Sequence, residues 1–229
     1  MENKGILNGT QLKWIAVFTM LLDHAGEILF PRIAIFRILG RLSYPIFAFM
    51  IAEGCRYTKN KLRYFLVVFG LGVSCQAVYT WVTGDTRLNI LLTFSGSVLL
   101  IYALQAAYHA ENWKKQALWS TVFAAGFLAV YGLDQVLRID YGFWGVMVPV
   151  FVSFAHLQKL PHWTAVLLLG IGLVLVGTEY VAMQDYALLA LPLLLLYNGK
   201  AGKYRMKYFF YIFYPVHLAV LQGIAWLVR

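Results

Sequence analysis

Residues 12–55 read LKWIAVFTMLLDHAGEILFPRIAIFRILGRLSYPIFAFMIAEGC, two apolar stretches joined at a short Phe-Pro turn. Six ionisable side chains interrupt them: Asp23, His24, Glu27, Arg37, Arg41 and Glu53. Each acid or arginine costs about 2.5–3.5 kcal/mol at the centre of a membrane helix. A helix pair surrounded by lipid does not carry that load. These groups must point inward, pair with one another, or line a wet cavity.

The rest of the chain fits a membrane setting. It is 61% hydrophobic and 13% charged over 229 residues, with a mean hydropathy of +0.69. Soluble domains carry roughly twice that share of charge. The sequence therefore predicts an all-α, polytopic transmembrane helix bundle in a single domain, 1–229, because no polar stretch is long enough to fold separately. Asp23 and His24 interrupt the first apolar run, and no small-residue cleavage site follows, which argues against a removable signal peptide. Cys55 and Cys75 fall in apolar segments at different depths, so no disulfide is expected.

Apolar runs separated by short polar joints place spans at 12–30, 33–55, 62–82, 88–108, 117–137, 141–157, 163–180, 182–197 and 207–227. That makes about nine spans, or eight if the Gly-rich stretch 170–177 breaks a helix. With the N-terminus in the cytosol, the cytosolic joints hold 13 of the 19 basic residues, among them Lys13, Arg56, Lys59, Lys61, Lys159, Lys200 and Lys203. Only Arg32, Arg87, Arg138 and Arg229 fall opposite. This asymmetry orients the chain by the positive-inside rule. The net charge of +9 is thus read first as topology, with anionic lipid second and no nucleic-acid partner. No internal repeat is visible, which argues against the many transporters built from repeats.

Asp23 and Glu27 are four residues apart on one helix, and Arg37 and Arg41 repeat that spacing on the next. Counted from Pro31, Glu27 lies level with Arg37, and Asp23 with Arg41. Two acid–base pairs across one hairpin follow, either as a structural lock or as part of a site. Pairing leaves His24 over. Beside Asp23, whose carboxylate could fix its tautomer, it suits a general base. In the last span Pro215 and His217 lie about ten residues in, and a helix-interior proline often marks an opening. Tyr211 and Tyr214 either line that opening or simply pack. Glu53 is either an interfacial acid paired with Arg56 or a polar group at a cavity mouth. Small polar residues such as Asn89, Thr93 and Ser97 read mainly as helix-packing groups. The segment Tyr197-Asn198-Gly199-Lys200 ends the eighth span, and together with Lys203, Arg205 and Lys207 it could hold a phosphorylated ligand or serve topology alone. Phosphate-loop, zinc-protease and nucleophile-elbow motifs are absent, and no metal is expected.

Four segments carry a resemblance. LKWIAVFTMLLDH at 12–24, GRLSYPIFAFMIAEG at 40–54, YALLALPLLLLYNGK at 186–200 and FYIFYPVH at 210–217 resemble the TraX family. That resemblance implies N-acetylation of a conjugative pilin subunit. It also implies a distant similarity to membrane acyltransferases that take an acyl group from cytosolic acyl-CoA. The family's Asp-His falls on Asp23 and His24, and its Tyr-Pro-x-His on Tyr214, Pro215 and His217. The wider superfamily has an arginine ten residues before its first-helix histidine. Here that position is Trp14, and the nearest base is Lys13, on the same helical face as His24.

Together these readings give an expectation: a bacterial cytoplasmic-membrane acetyltransferase using acetyl-CoA as donor and a peptide or other envelope amine or hydroxyl as acceptor. Asp23 would orient His24 as the base. Arg37 or Arg41 would hold the oxyanion or acceptor, and His217 would form a second polar wall. Lys13, Glu53, Tyr214 and Lys200 would line the substrate path. The alternative is a proton-coupled transporter or flippase with Asp23, His24 and Glu53 as its relay. Nothing in the pattern specifies an oligomeric state.

Overall fold

A computed structural model describes residues 5–179, 182–203 and 207–228. Among them the chain is all-helical, with no strand and only two isolated backbone bridges, Leu7 with Tyr197 and Leu88 with Ile139. The helices are α1 (Gly9–Ile28), α2 (Ala34–Gly40), α3 (Ser43–Tyr57), α4 (Lys61–Thr83), α5 (Ile90–Tyr108), α6 (Trp113–Leu137), α7 (Gly142–Leu157) and α8 (His162–Glu179). A 3₁₀ segment (Ala182–Ala190), α9 (Leu191–Leu195) and α10 (Lys207–Val228) follow. Five described helical stretches are long and apolar enough to cross a membrane: Ala34–Tyr57, Lys61–Trp81, Ile90–Tyr108, Trp113–Leu137 and His162–Glu179. Each expected span meets helical structure, and the protein is a polytopic membrane protein.

Two departures have clear causes. The expected second span is broken into α2 and α3 at Arg41-Leu42. Pro45 has no N–H to offer the carbonyl of Arg41, and its ring crowds that carbonyl. A helix therefore restarts at Ser43, with the proline in its first turn. In contrast, the Gly-rich stretch 170–177 does not break: α8 is continuous to Glu179. Gly172 is buried against α7, where a Cβ would press on Val148 and Phe151, so the glycine permits close helix packing. The short eighth span is a 3₁₀ segment ending in one α-helical turn, with Pro192 at the start of that turn.

The chain forms two compact units, Met1–Met50 with Tyr180–Arg229, and Ile51–Glu179. Within the second, Val98, Ile101, Val146, Met147 and Val150 form the buried core. Ser97 Oγ donates to the Val146 carbonyl at 2.8 Å and Thr93 Oγ1 to the Asp140 carbonyl at 2.9 Å, tying α5 to α7. Asn89 caps α5 by accepting from Leu91 N, and its amide donates to the Gly72 carbonyl. These small polar groups serve packing. Cys55 and Cys75 are free and buried. In the α4–α5 joint, Asp85 accepts hydrogen bonds from Arg87 Nε and the Arg87 backbone, which hold its carboxyl below the usual range.

In the first unit the turn at 197–201 is stitched to the start of α1. Leu7 N donates to the Leu196 carbonyl, Gly9 N to the Lys200 carbonyl at 2.8 Å, and Thr10 N to the Ala201 carbonyl. Asn8 closes the same end with a capping box, accepting from Gln11 N while Gln11 Oε1 accepts from Asn8 N. Trp14 packs against Phe209, and His24 meets His217. Helices α1 and α10 therefore run side by side in the same direction.

Candidate functional site

The polar hairpin expected between residues 23 and 41 is present. Arg41 Nη2 donates to both oxygens of Asp23, at 2.8 and 2.9 Å. Arg37 Nη1 donates to Glu27 Oε2 at 2.9 Å and lies 3.1 Å from Asp23 Oδ1. Arg37 thus bridges the two acids, and Asp23 is held by two guanidinium groups. The missing side chain at Gly40 makes room for this: Gly40 lies against Asp23, where a Cβ would fall on the carboxyl group. Gly40→Ala should cost about 1–3 kcal/mol by forcing Asp23 and Arg41 apart. Gly132, on an open face of α6, provides the contrast, since a Cβ there meets nothing. Thermal melts in detergent should show a lower midpoint for Gly40→Ala and no such drop for Gly132→Ala.

His24 does not face Asp23. Consecutive helical residues point in different directions, and Asp23 is occupied by arginine. The expected Asp23–His24 orientation is therefore replaced by another: His24 Nδ1 lies 2.8 Å from His217 Nε2. His217 is buried, and its Nδ1 lies 2.7 Å from the Phe213 carbonyl. A carbonyl oxygen only accepts, so Nδ1 of His217 carries the hydrogen. With His217 neutral, its Nε2 accepts from His24 Nδ1–H. A neutral His24 then keeps its lone pair on Nε2. Phe213 stacks on the His217 ring with centroids 4.7 Å apart, and Tyr214 meets it edge-on. Pro215 lies within α10, which continues through it.

The other expected site residues fall elsewhere. Lys13 lies about 16 Å along α1 from His24. The backbone of Lys200 is tied to the start of α1, so Lys13 and Lys200 mark one end of the unit and the histidines lie three turns away. Glu53 belongs to the second unit, where it is buried 3.6 Å from Arg56 Nη1 and 3.5 Å from His156 Nε2. Arg205 and the side chains of Lys207 and Tyr211 lie outside what the structure describes. Two participants were not expected. His156 is one, and Gln184 is the other: its Oε1 accepts from Arg41 Nη1 at 3.3 Å. Neither belongs to a local motif, and each is found only through contacts between residues far apart in sequence. Among the described residues no group of three or more His, Cys, Asp or Glu side chains is arranged to hold a metal ion.

The fold and this hairpin define a multi-pass membrane protein with a buried acid–arginine lock beside a histidine pair. The chain belongs to the TraX family, whose profile matches residues 8–225. It is similar to a probable fimbrial assembly protein FimC (serogroup H1) of Dichelobacter nodosus, with 28% identity over 92% of this chain and 93% of that protein. A 60-residue stretch, 26% of this chain and 23% of its counterpart, is 38% identical to an uncharacterized protein of Rickettsia prowazekii. No solved structure matches the chain.

Proposed function

We propose that this protein is an acetyltransferase of the bacterial cytoplasmic membrane, moving an acetyl group from cytosolic acetyl-CoA to an amine, with a pilin or other peptide N-terminus as the favoured acceptor. The observation that carries the reading is the His24–His217 pair. His24 Nε2 holds a lone pair while Nδ1 leans on a second imidazole that is itself anchored to a carbonyl. This is an oriented base. The uncharged amine nitrogen attacks the thioester carbonyl, its proton passes to His24 Nε2, the C–S bond breaks, and His24 returns that proton to the departing CoA thiolate.

Supporting observations come from both ends of the first unit. The parallel course of α1 and α10 suits an odd number of crossings, and both begin near Lys13, Lys200 and Lys203. With the N-terminus in the cytosol these lysines would attract the CoA phosphates. The fimbrial-assembly name of the Dichelobacter relative points to a pilus-type acceptor. The test is acetyl transfer by the purified protein in detergent, with acetyl-CoA and a peptide bearing a free N-terminus. The expected result is a product heavier by one acetyl group. The histidine chain would equally serve a proton-coupled transporter. Transfer in detergent, where no gradient exists, separates the two, and its absence with proton-coupled uptake in vesicles would favour transport.

A further inference from the structure

We propose that Gln184 is a substrate-binding residue whose side-chain amide donates a hydrogen bond to a substrate carbonyl oxygen. This rests on the acyl-transfer reading above. Gln184 lies in the 3₁₀ segment and is 5% exposed. A guanidinium group only donates, so the glutamine must turn Oε1 toward Arg41. That contact orients the amide and points Nε2 the other way. Among the described residues Nε2 is buried and has no hydrogen-bond partner.

A buried donor without an acceptor is costly. Serving Arg41 does not require it, because glutamate would offer a stronger partner to a guanidinium, and an apolar side chain would remove the orphan. What distinguishes glutamine here is the Nε2 donor. A neutral N–H group takes an oxygen acceptor and offers nothing to a cation. Gln184, Arg41 and Asp23 form one bonded frame, and His24 follows Asp23 on α1, so the donor is held in the same scaffold as the base. Acyl transfer supplies two carbonyls that such a donor could take: that of the thioester and that of the acceptor's first peptide bond.

Steady-state kinetics on purified Gln184→Glu and Gln184→Met distinguish these cases, with acetyl-CoA and the acceptor peptide varied separately. Gln184→Glu keeps an oxygen for Arg41 and replaces the donor, so it should melt no lower than wild type while kcat/KM falls about tenfold or more. A rise in KM for acetyl-CoA alone identifies the thioester carbonyl, and a rise for the peptide alone identifies the acceptor. Gln184→Met, which adds no charge, should show the same selective KM change even if the glutamate variant folds poorly. Wild-type kinetics in either folded variant overturn this inference and leave the transfer reading standing. Equal losses toward both substrates together with a lowered melt also overturn it, because they mark a structural role. No transfer by the wild-type protein removes both.

Discussion

His24→Ala is expected to lower acetyl transfer by about 10²- to 10⁴-fold while leaving the protein folded. The expectation follows from what His24 does in the structure. Its Nδ1 is engaged by His217, so Nε2 is the position at which a proton can be taken up. Alanine removes that position without removing any part of the acid–arginine lock, which is built from Asp23, Glu27, Arg37 and Arg41. The fold should therefore survive, with its stability lowered by about 1–3 kcal/mol because buried His217 Nε2 loses its donor. His217 acts through His24, and its variants should grade accordingly. His217→Gln can still present an oxygen to His24 Nδ1–H and should retain more activity than His217→Ala. A purified, folded His24→Ala protein that transfers acetyl groups at the wild-type rate would refute the assignment of the base. Equal losses in His217→Gln and His217→Ala would instead refute the orienting role of the second imidazole.

The hairpin was legible because its spacing is a property of one helix turn. Acids four apart, mirrored by arginines four apart about Pro31, already place Asp23 opposite Arg41 and Glu27 opposite Arg37. Long apolar runs likewise announce helices before any contact is known. The break at Arg41-Leu42 had a local signal in Pro45, four residues on, which a hydropathy reading passes over because the flanking residues stay apolar. The partner of His24 had no local signal. His24 and His217 are 193 residues apart, and Arg41 and Gln184 are 143 apart. Each histidine could be singled out as polar in an apolar helix, but which polar group meets which depends on how α1, α2, α10 and the 3₁₀ segment pack. Neighbourhood in sequence was misleading here: Asp23 and His24 are adjacent along the chain and face different partners.

The same packing predicts the largest stability effect. Asp23→Leu is expected to destabilise the protein by about 3–5 kcal/mol, since it leaves Arg41 buried beside Gln184 without its carboxylate. Both side chains of this pair are nearly buried, at 11% and 13% exposure, so water cannot take the place of the lost partner. Arg37 suffers less because Glu27 remains 2.9 Å away. Asp23→Asn, which keeps an oxygen acceptor, should fall between wild type and Asp23→Leu. Adding Arg41→Met to Asp23→Leu removes the stranded charge and should recover most of the loss, because an apolar pair can replace a buried ion pair at little cost. Activity need not follow. Without Arg41 the Gln184 amide loses the group that orients it, so the double variant should fold yet transfer slowly. Detergent melts of the four proteins, read with their transfer rates, check each step. A double variant no more stable than Asp23→Leu would show that the penalty arises from the introduced leucine, through packing against Gly40, and not from an unpaired arginine.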